Sequence, residues 1–276
     1  MWNTGFHTIL QSLVAGAGAV VGETLHLNHI VKAIEERNDI INVVCENGNT
    51  FEGNHVICTL PLGVLKGAID KPDKGLPLFR PPLPAVLTES IQCLGFGHLE
   101  KVVLKFRGHQ FWKSDSDCFY NLNGNPFRLW LNVSRVYHVK GKQNTLVCIV
   151  GGRPCADLFK DGNTDEFIVL AALQSLREVF GQDTIPEDPS AALALLDGSI
   201  VTRWGSDPFS CGSFSHMCIG SLPADYENMA KGYWNDRLFF AGEGTIKTYP
   251  GTTHGAFFSG ERAASMAISS CLMREL

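Results

Sequence analysis

The stretch Arg237–Ala264, RLFFAGEGTIKTYPGTTHGAFFSGERAA, constrains the fold more than any other part of the chain. Leu238, Phe239, Phe240 and Ala241 form a short apolar run, as expected of a buried strand. Glu243 stands alone between Gly242 and Gly244, which reads as a bend. Pro250 and Gly251 close the following loop, and Thr252 or Thr253 is placed to cap a helix running through His254–Ala267. A helix start aimed at a ligand offers unpaired N–H groups and a partial positive charge, which suits an anionic or electron-rich cofactor edge.

Periodicity elsewhere predicts a mixed α/β chain. Phe6–Ala15 has helical spacing. Leu25–Glu36 and Asp39–Glu46 read as two strands joined at Arg37-Asn38, and Asn47-Gly48 signals a hairpin into Thr50–Gly53. His55–Thr59 is an apolar strand, Lys71–Pro84 a Pro-rich loop and Ala85–Cys93 a short helix. Lys101–Phe106, Phe127–Val133 and Thr145–Val150 alternate as strands of an antiparallel sheet. Asp165–Phe180 is amphipathic, with Phe167, Leu170, Leu173, Leu176 and Phe180 on its apolar side. Asp188–Leu196 is Ala-rich and helical in character, and Ser199–Trp204 returns as a strand.

The strand, the Gly-Glu-Gly bend and the Thr-capped helix resemble the C-terminal flavin-binding segment of FAD-dependent amine oxidases. TYPGTTHGAFFSGERAA looks most like the lysine-specific histone demethylases of that family. Three further blocks appear in the family's order: VICTLPLGVLKG (Val56–Gly67), LGFGHLEKVVLKF (Leu94–Phe106) and RWGSDPFSCGSFSHM (Arg203–Met217). The resemblance implies part of an FAD-binding Rossmann-like domain, about residues 1–66 and 236–276. It also implies a substrate domain built on an antiparallel sheet, about residues 67–235. No strand with G-x-G-x-x-G opens the chain, and Gly5–Val31 aligns with a region well inside the family's catalytic domain. The expectation is therefore a partial amine oxidase domain, the C-terminal half of such an enzyme.

The same resemblance assigns roles. Lys101 matches the catalytic lysine that holds a water near the flavin's reactive nitrogen, where a cation stabilises charge on the reduced cofactor and on oxygen. Trp204, Phe209 and Phe214 match aromatic positions for the substrate cation, with Trp204 also at the flavin; aromatic walls attract the cation and exclude water. Phe214 stands where the demethylase pattern carries a tyrosine. Gly242, Glu243, Thr252 and Thr253 match FAD contacts, as do Val31 on the adenine side and Pro61 and Leu62 at the neighbouring turn. The pattern usually has His or another residue where Gly244 stands, which predicts a looser loop. His254 is read as a packing residue. No metal-ligand spacing and no Ser-His-Asp or Cys-His arrangement emerges.

Composition limits the alternatives. A hydrophobic fraction of 45% supports a packed core. Net charge −5 gives no general attraction to nucleic acid. Nine scattered cysteines without C-x-x-C argue against a disulfide framework or zinc module and for a reducing compartment. Leu13–Val21 is too short to span a bilayer, and Met1 is not followed by a signal-peptide pattern.

Three functions remain open: oxidative demethylation of methylated lysine on a histone tail, polyamine oxidation with the same cofactor chemistry, and a catalytically inactive interaction module lacking the dinucleotide-binding turn. Implied partners are a methyl-lysine peptide or polyamine, and a corepressor-type protein or a missing N-terminal half. No membrane or direct nucleic-acid contact is expected. The implied location is nuclear, otherwise cytoplasmic.

Overall fold

The computed structural model describes residues 5–70, 77–108, 110–113, 115–136, 144–160 and 162–274. Its first elements are α1 (Gly5–Gly16), β1 (Val31–Arg37), β2 (Ile40–Cys45), β3 (Thr50–Gly53), β4 (Val56–Cys58), α2 (Leu62–Asp70), β5 (Leu78–Arg80) and α3 (Ala85–Cys93). Next come β6 (Gly95–Gly97), β7 (Leu99–Phe106), β8 (Cys118–Tyr120), β9 (Leu129–Asn132), α4 (Val133–Val136), β10 (Thr145–Gly151), α5 (Arg153–Leu158) and α6 (Asp165–Phe180). The last are α7 (Pro189–Ala194), β11 (Leu196–Val201), β12 (Phe214–His216), α8 (Pro223–Met229), β13 (Gly232–Tyr233), β14 (Leu238–Phe240) and α9 (Thr253–Arg274). The chain is a mixed α/β protein of two compact units, Met1–Ala19 with His98–Ser206 and Val20–Gly97 with Asp207–Leu276.

In the first unit an antiparallel sheet runs in the order β11-β7-β10-β9-β8. Along β7 the buried residues Glu100, Val102, Leu104 and Phe106 alternate with more open ones, so one face feeds the core. That core joins Val102, Leu104, Trp130, Leu146 and Cys148 of the sheet to Ile168, Val169, Leu173 and Leu176 of α6. Thr164 caps α6 by accepting the Phe167 N–H at 3.2 Å, and Asp165 and Glu166 complement the helix dipole. The buried face of α6 is Ile168, Val169, Ala172, Leu173, Ser175 and Leu176. Phe167, read from spacing as apolar-side, is 51% exposed, and Leu170 and Phe180 sit at the margin. Strand β11 ends at Val201; Thr202 still donates its N–H to the Lys101 carbonyl, and Arg203–Ser206 form a turn rather than the expected strand end. Strand β9 is shorter than expected because Val133 starts α4. Helix α1 forms as its spacing predicts, but none of its described residues is buried.

The second unit holds the sheet β3-β2-β1-β5, the sheet β13-β14-β4 and the ribbon β12-β6. Strand β1 starts at Val31, not Leu25; Leu25 makes only an isolated bridge with Val21. Gly48, with φ +87°, turns β2 into β3, and the Asn47 side chain accepts the Asn49 N–H at 3.1 Å. The expected loop 71–84 contains β5, which pairs in parallel with β1; residues 71–76 of that loop lie outside the described residues. Strand β14 is wholly buried and parallel to β4, as its apolar run predicts. Leu62, Leu65, Leu87, Ile91, Tyr226, Leu238 and Phe240 share one core beneath these sheets. No helix among the described residues is long and apolar enough to cross a membrane.

Candidate functional site

Glu243 anchors the loop that follows β14. Its Oε1 accepts the Ser215 N–H at 3.0 Å; its Oε2 accepts the Ser215 hydroxyl at 2.6 Å and the Gly251 N–H at 2.7 Å. One carboxylate thus joins β12 to the start of the last loop through charge-assisted bonds, the stronger class of hydrogen bond. Ser215 is 2% exposed and lies 3.4 Å from the Tyr226 hydroxyl, whose pKa burial raises while its bond to Ser215 opposes the rise.

The helix beyond this loop is fixed with equal care. Thr252 is the cap: its Oγ1 accepts the Gly255 N–H at 3.1 Å and donates to the Tyr249 carbonyl at 2.8 Å. Helix geometry leaves the Thr253 and His254 N–H groups, the first after the cap, without intrahelical acceptors. Gly255, Ser259 and Ala263 are buried at i, i+4 and i+8, which lets α9 lie close to the strand it covers. Ser259 Oγ accepts the Gly242 N–H at 2.8 Å. Arg262 donates to the Phe240 carbonyl at 2.6 Å and the Thr245 carbonyl at 2.7 Å, and burial pushes its pKa down. These contacts hold the Gly242–Thr245 turn against the helix.

Of the predicted residues, Leu62 borders that turn. A Cβ on Gly244 would sit 3.5 Å from Leu62 Cβ and 3.6 Å from Ser215 Cβ, so Gly244 and Leu62 are neighbours and the turn is packed rather than loose. A Cβ on Gly251 would lie 3.2 Å from Phe214 Cδ2, which places that half-exposed ring beside the loop. Pro61 precedes α2 and its carbonyl accepts the Leu65 N–H at 3.1 Å; Val31 packs against the same core as Leu62. Phe209, 60% exposed, sits in a turn closed by Asp207, whose Oδ1 accepts its N–H at 2.8 Å. That turn lies on the start of α2, where a Cβ at Gly63 would fall 2.6 Å from the carbonyls of Ser210 and Cys211.

Lys101 and Trp204 belong to the first unit. Lys101 lies on the more open face of β7, opposite Ile149. No carboxylate among the described residues forms an ion pair with it. Its N–H donates to Thr202 Oγ1 at 2.8 Å, and that hydroxyl donates to Glu100 Oε2 at 2.6 Å. Glu100 Oε1 accepts the Gly205 N–H at 2.9 Å. Arg203 is held by Asp165 at 2.6 Å and by the Asn163 carbonyl at 2.7 Å. The turn presenting Trp204, 42% exposed, is therefore pinned on both sides.

Leu62, Phe214, Gly242, Glu243, Thr252 and Thr253 thus gather around one loop, while Lys101 and Trp204 share a separate network. Sequence reasoning missed Ser215, Ser259 and Arg262, and the role of Glu100 and Thr202. The i, i+4, i+8 run of small residues on α9 is the signal that marks its packed face. The residues present fit a flavin: a 22-residue helix opens with two uncommitted N–H groups beside a rigid loop.

The family model described as flavin containing amine oxidoreductase matches residues 1–268. Over 263 residues the chain is 36% identical to Lysine-specific histone demethylase 1 homolog 3 of Oryza sativa subsp. japonica, covering 93% of this chain and 29% of that protein. It is 32% identical over 286 residues to Possible lysine-specific histone demethylase 1 of Drosophila melanogaster, covering 94% of this chain and 30% of that protein. It is 36% identical over 243 residues to Protein FLOWERING LOCUS D of Arabidopsis thaliana, covering 87% and 28%. The chain spans less than a third of the length of each of these relatives.

Proposed function

The chain belongs to the flavin-containing amine oxidoreductase family, with FAD as its cofactor, and from that membership we propose that it acts in oxidative demethylation of methylated lysine of the histone-tail kind. The products of that reaction are the demethylated lysine, formaldehyde and hydrogen peroxide. Relatives whose printed names say lysine-specific histone demethylase support the reading, and with it a nuclear location. The observation that carries it is the loop around Glu243 and the open start of α9, held together by Ser215, Ser259 and Arg262.

Within the second unit, the residues that would hold FAD are Val31, Pro61, Leu62, Gly242, Glu243, Thr252 and Thr253. When bound, FAD supplies the hydride acceptor for the N-methyl carbon. The amino terminus of α9 offers N–H groups to an electron-rich edge. Glu243, with its three hydrogen bonds made inside the protein, acts by fixing the loop. In the second unit Phe209 and Phe214 present exposed aromatic rings, of the kind that attract a methylammonium cation and displace water from it; Trp204 of the first unit is likewise exposed. Lys101, unpaired with any carboxylate among the described residues, keeps its ammonium donors for a water molecule.

The test is the visible absorbance of the purified chain, recorded before and after adding FAD and desalting. A retained flavin band that a methyl-lysine peptide bleaches without air, and spermine does not, is the expected result. Lys101→Met should then slow turnover by at least about a hundredfold. Bleaching by spermine alone would turn the reading to polyamine oxidation, which the missing hydroxyl at Phe214 keeps open. A colourless protein would sink both.

A further inference from the structure

Two exposed cysteines, Cys93 and Cys218, are neighbours where the ribbon β12-β6 ends. The ribbon pairs Phe214 with Gly97 and His216 with Gly95. Two residues beyond β12 the chain reaches Cys218, and two residues before β6 stands Cys93, the last residue of α3. The two segments do stay together there: Cys218 Sγ lies 3.2 Å from the Cys93 carbonyl oxygen. That contact makes the two residues near neighbours, as closing a disulfide between them requires. Both positions are anchored. Leu94, following Cys93, is fully buried and its N–H donates to the Ser90 carbonyl at 3.2 Å. The Cys218 N–H donates to Ser221 Oγ at 2.7 Å.

A cation accompanies the pair. Lys66 Nζ donates to the Gln92 carbonyl at 2.8 Å, one residue before Cys93, and Gln92 in turn is held by Asp70 at 2.7 Å. Burial pushes the Lys66 pKa down, and Cys218, Asp70 and Cys93 oppose that push. Cys45, Cys58, Cys148 and Cys155 are buried, so this pair differs from them in being open to solvent.

We propose that Cys93 and Cys218 form a peroxide-responsive thiol pair that closes to a disulfide. The Cys218 sulfur attacks one oxygen of hydrogen peroxide; the O–O bond breaks, a sulfenic acid forms, and the released hydroxide takes the thiol proton to become water. The Cys93 sulfur then attacks the sulfenic sulfur; the S–S bond forms, the S–O bond breaks, and water leaves with the Cys93 proton. Two thiols give up two electrons, and one peroxide becomes two waters. The bond would tie the end of α3 to the strand that carries Phe214 and Ser215, and Ser215 holds Glu243. Peroxide is the by-product of the proposed oxidation, yet the pair's chemistry needs only peroxide and stands apart from that reading.

The experiment treats the folded 276-residue chain with hydrogen peroxide, blocks remaining thiols with N-ethylmaleimide, and maps tryptic peptides by tandem mass spectrometry, whose fragment ions separate Cys211 from Cys218 on their shared peptide, Trp204–Lys231. The expected result is a single linked species joining the Cys93 and Cys218 peptides, lost after dithiothreitol. Cys93→Ser should leave Cys218 trapped as a dimedone-reactive sulfenic acid, and Lys66→Met should slow closure several-fold. Peptides oxidised singly, unreacted, or linked through another cysteine would overturn the proposal. The map of the unsubstituted chain decides the matter by itself, so a variant that fails to fold does not spoil the test.

Discussion

Glu243 Oε2 accepts the Ser215 hydroxyl at 2.6 Å, and this bond fastens the loop before α9 to the strand that carries Phe214. The same carboxylate holds the Ser215 and Gly251 N–H groups, so one side chain satisfies three donors on two segments. Removing it strands two backbone donors in a part-buried place, which costs more than losing a single bond. Glu243→Ala should lower unfolding free energy by about 2–4 kcal/mol in urea titrations followed by circular dichroism. Ser215→Ala, which keeps the backbone bond, should cost about 1 kcal/mol. A Glu243→Ala variant within about 0.5 kcal/mol of the parent would show that the carboxylate is not the clamp.

Gly244 and Gly255 answer oppositely to the same substitution. At Gly244 a Cβ would make ordinary contacts, 3.5 Å to Leu62 and 3.6 Å to Ser215. At Gly255 it would lie 2.1 Å from the Tyr249 carbonyl oxygen, which belongs to the loop that Thr252 caps. Gly244→Ala should therefore leave stability unchanged or raise it by up to about 1 kcal/mol, because it restricts the unfolded chain. Gly255→Ala should destabilise by at least about 1–3 kcal/mol, since helix and loop must part. Melting temperatures of the two variants, compared with the parent, check both; a stabilised Gly255→Ala would contradict the close approach of helix and loop.

How much of this was legible beforehand follows from how local each signal is. The buried strand at Leu238–Phe240 and the cap at Thr252 could be read because an apolar run and a capping threonine act within a few residues. The alternation along β7 marked its strand for the same reason. By contrast, β5 forms inside a Pro-rich stretch only because β1 lies beside it, and Leu25 fails to extend β1 because no partner strand reaches it. Phe167 satisfied helical spacing yet lies open, since the sheet that α6 covers decides which stripe is buried. The Gly-Glu-Gly pattern located the loop, but that Glu243 would bond to Ser215 is a tertiary fact that spacing does not carry. Ser259 and Arg262 were readable as helix surface and turned out to hold the loop.

His55 predicts an acid-side loss of stability. Its Nε2 is 3.1 Å from Ser270 Oγ, and burial, Arg274 and Arg237 together lower its pKa below the ordinary 6.5. The folded protein therefore holds the His55 proton less tightly than the unfolded chain does. The associated stability is fully present above about pH 6.5 and is lost as pH falls through the lower, folded value. His55→Gln should flatten the fall in melting temperature between about pH 7 and pH 5. Parallel pH profiles for the variant and the parent would remove His55 from the account.

Glu100 is a buried carboxylate, 1% exposed, and its work is structural: Oε2 accepts Thr202 Oγ1 at 2.6 Å and Oε1 accepts the Gly205 N–H at 2.9 Å. Thr202 Oγ1 in turn accepts the Lys101 N–H, so one acid ties the residue next to it to the turn presenting Trp204. Glu100→Gln preserves volume but removes the charge and sets an amide donor against either the hydroxyl or the Gly205 N–H. A bond to a charged acceptor is worth about 1.5–3 kcal/mol, and each 1.4 kcal/mol is about tenfold in an opening equilibrium. Gly205 amide exchange, measured by NMR, should therefore accelerate by at least about tenfold in the variant, with a smaller rise at Lys101. The Cys148 amide, in the sheet ladder opposite Val102, serves as the internal control and should be unchanged. Uniform acceleration at all three positions would mean that the whole sheet had loosened, and that Glu100 does not act on the turn in particular.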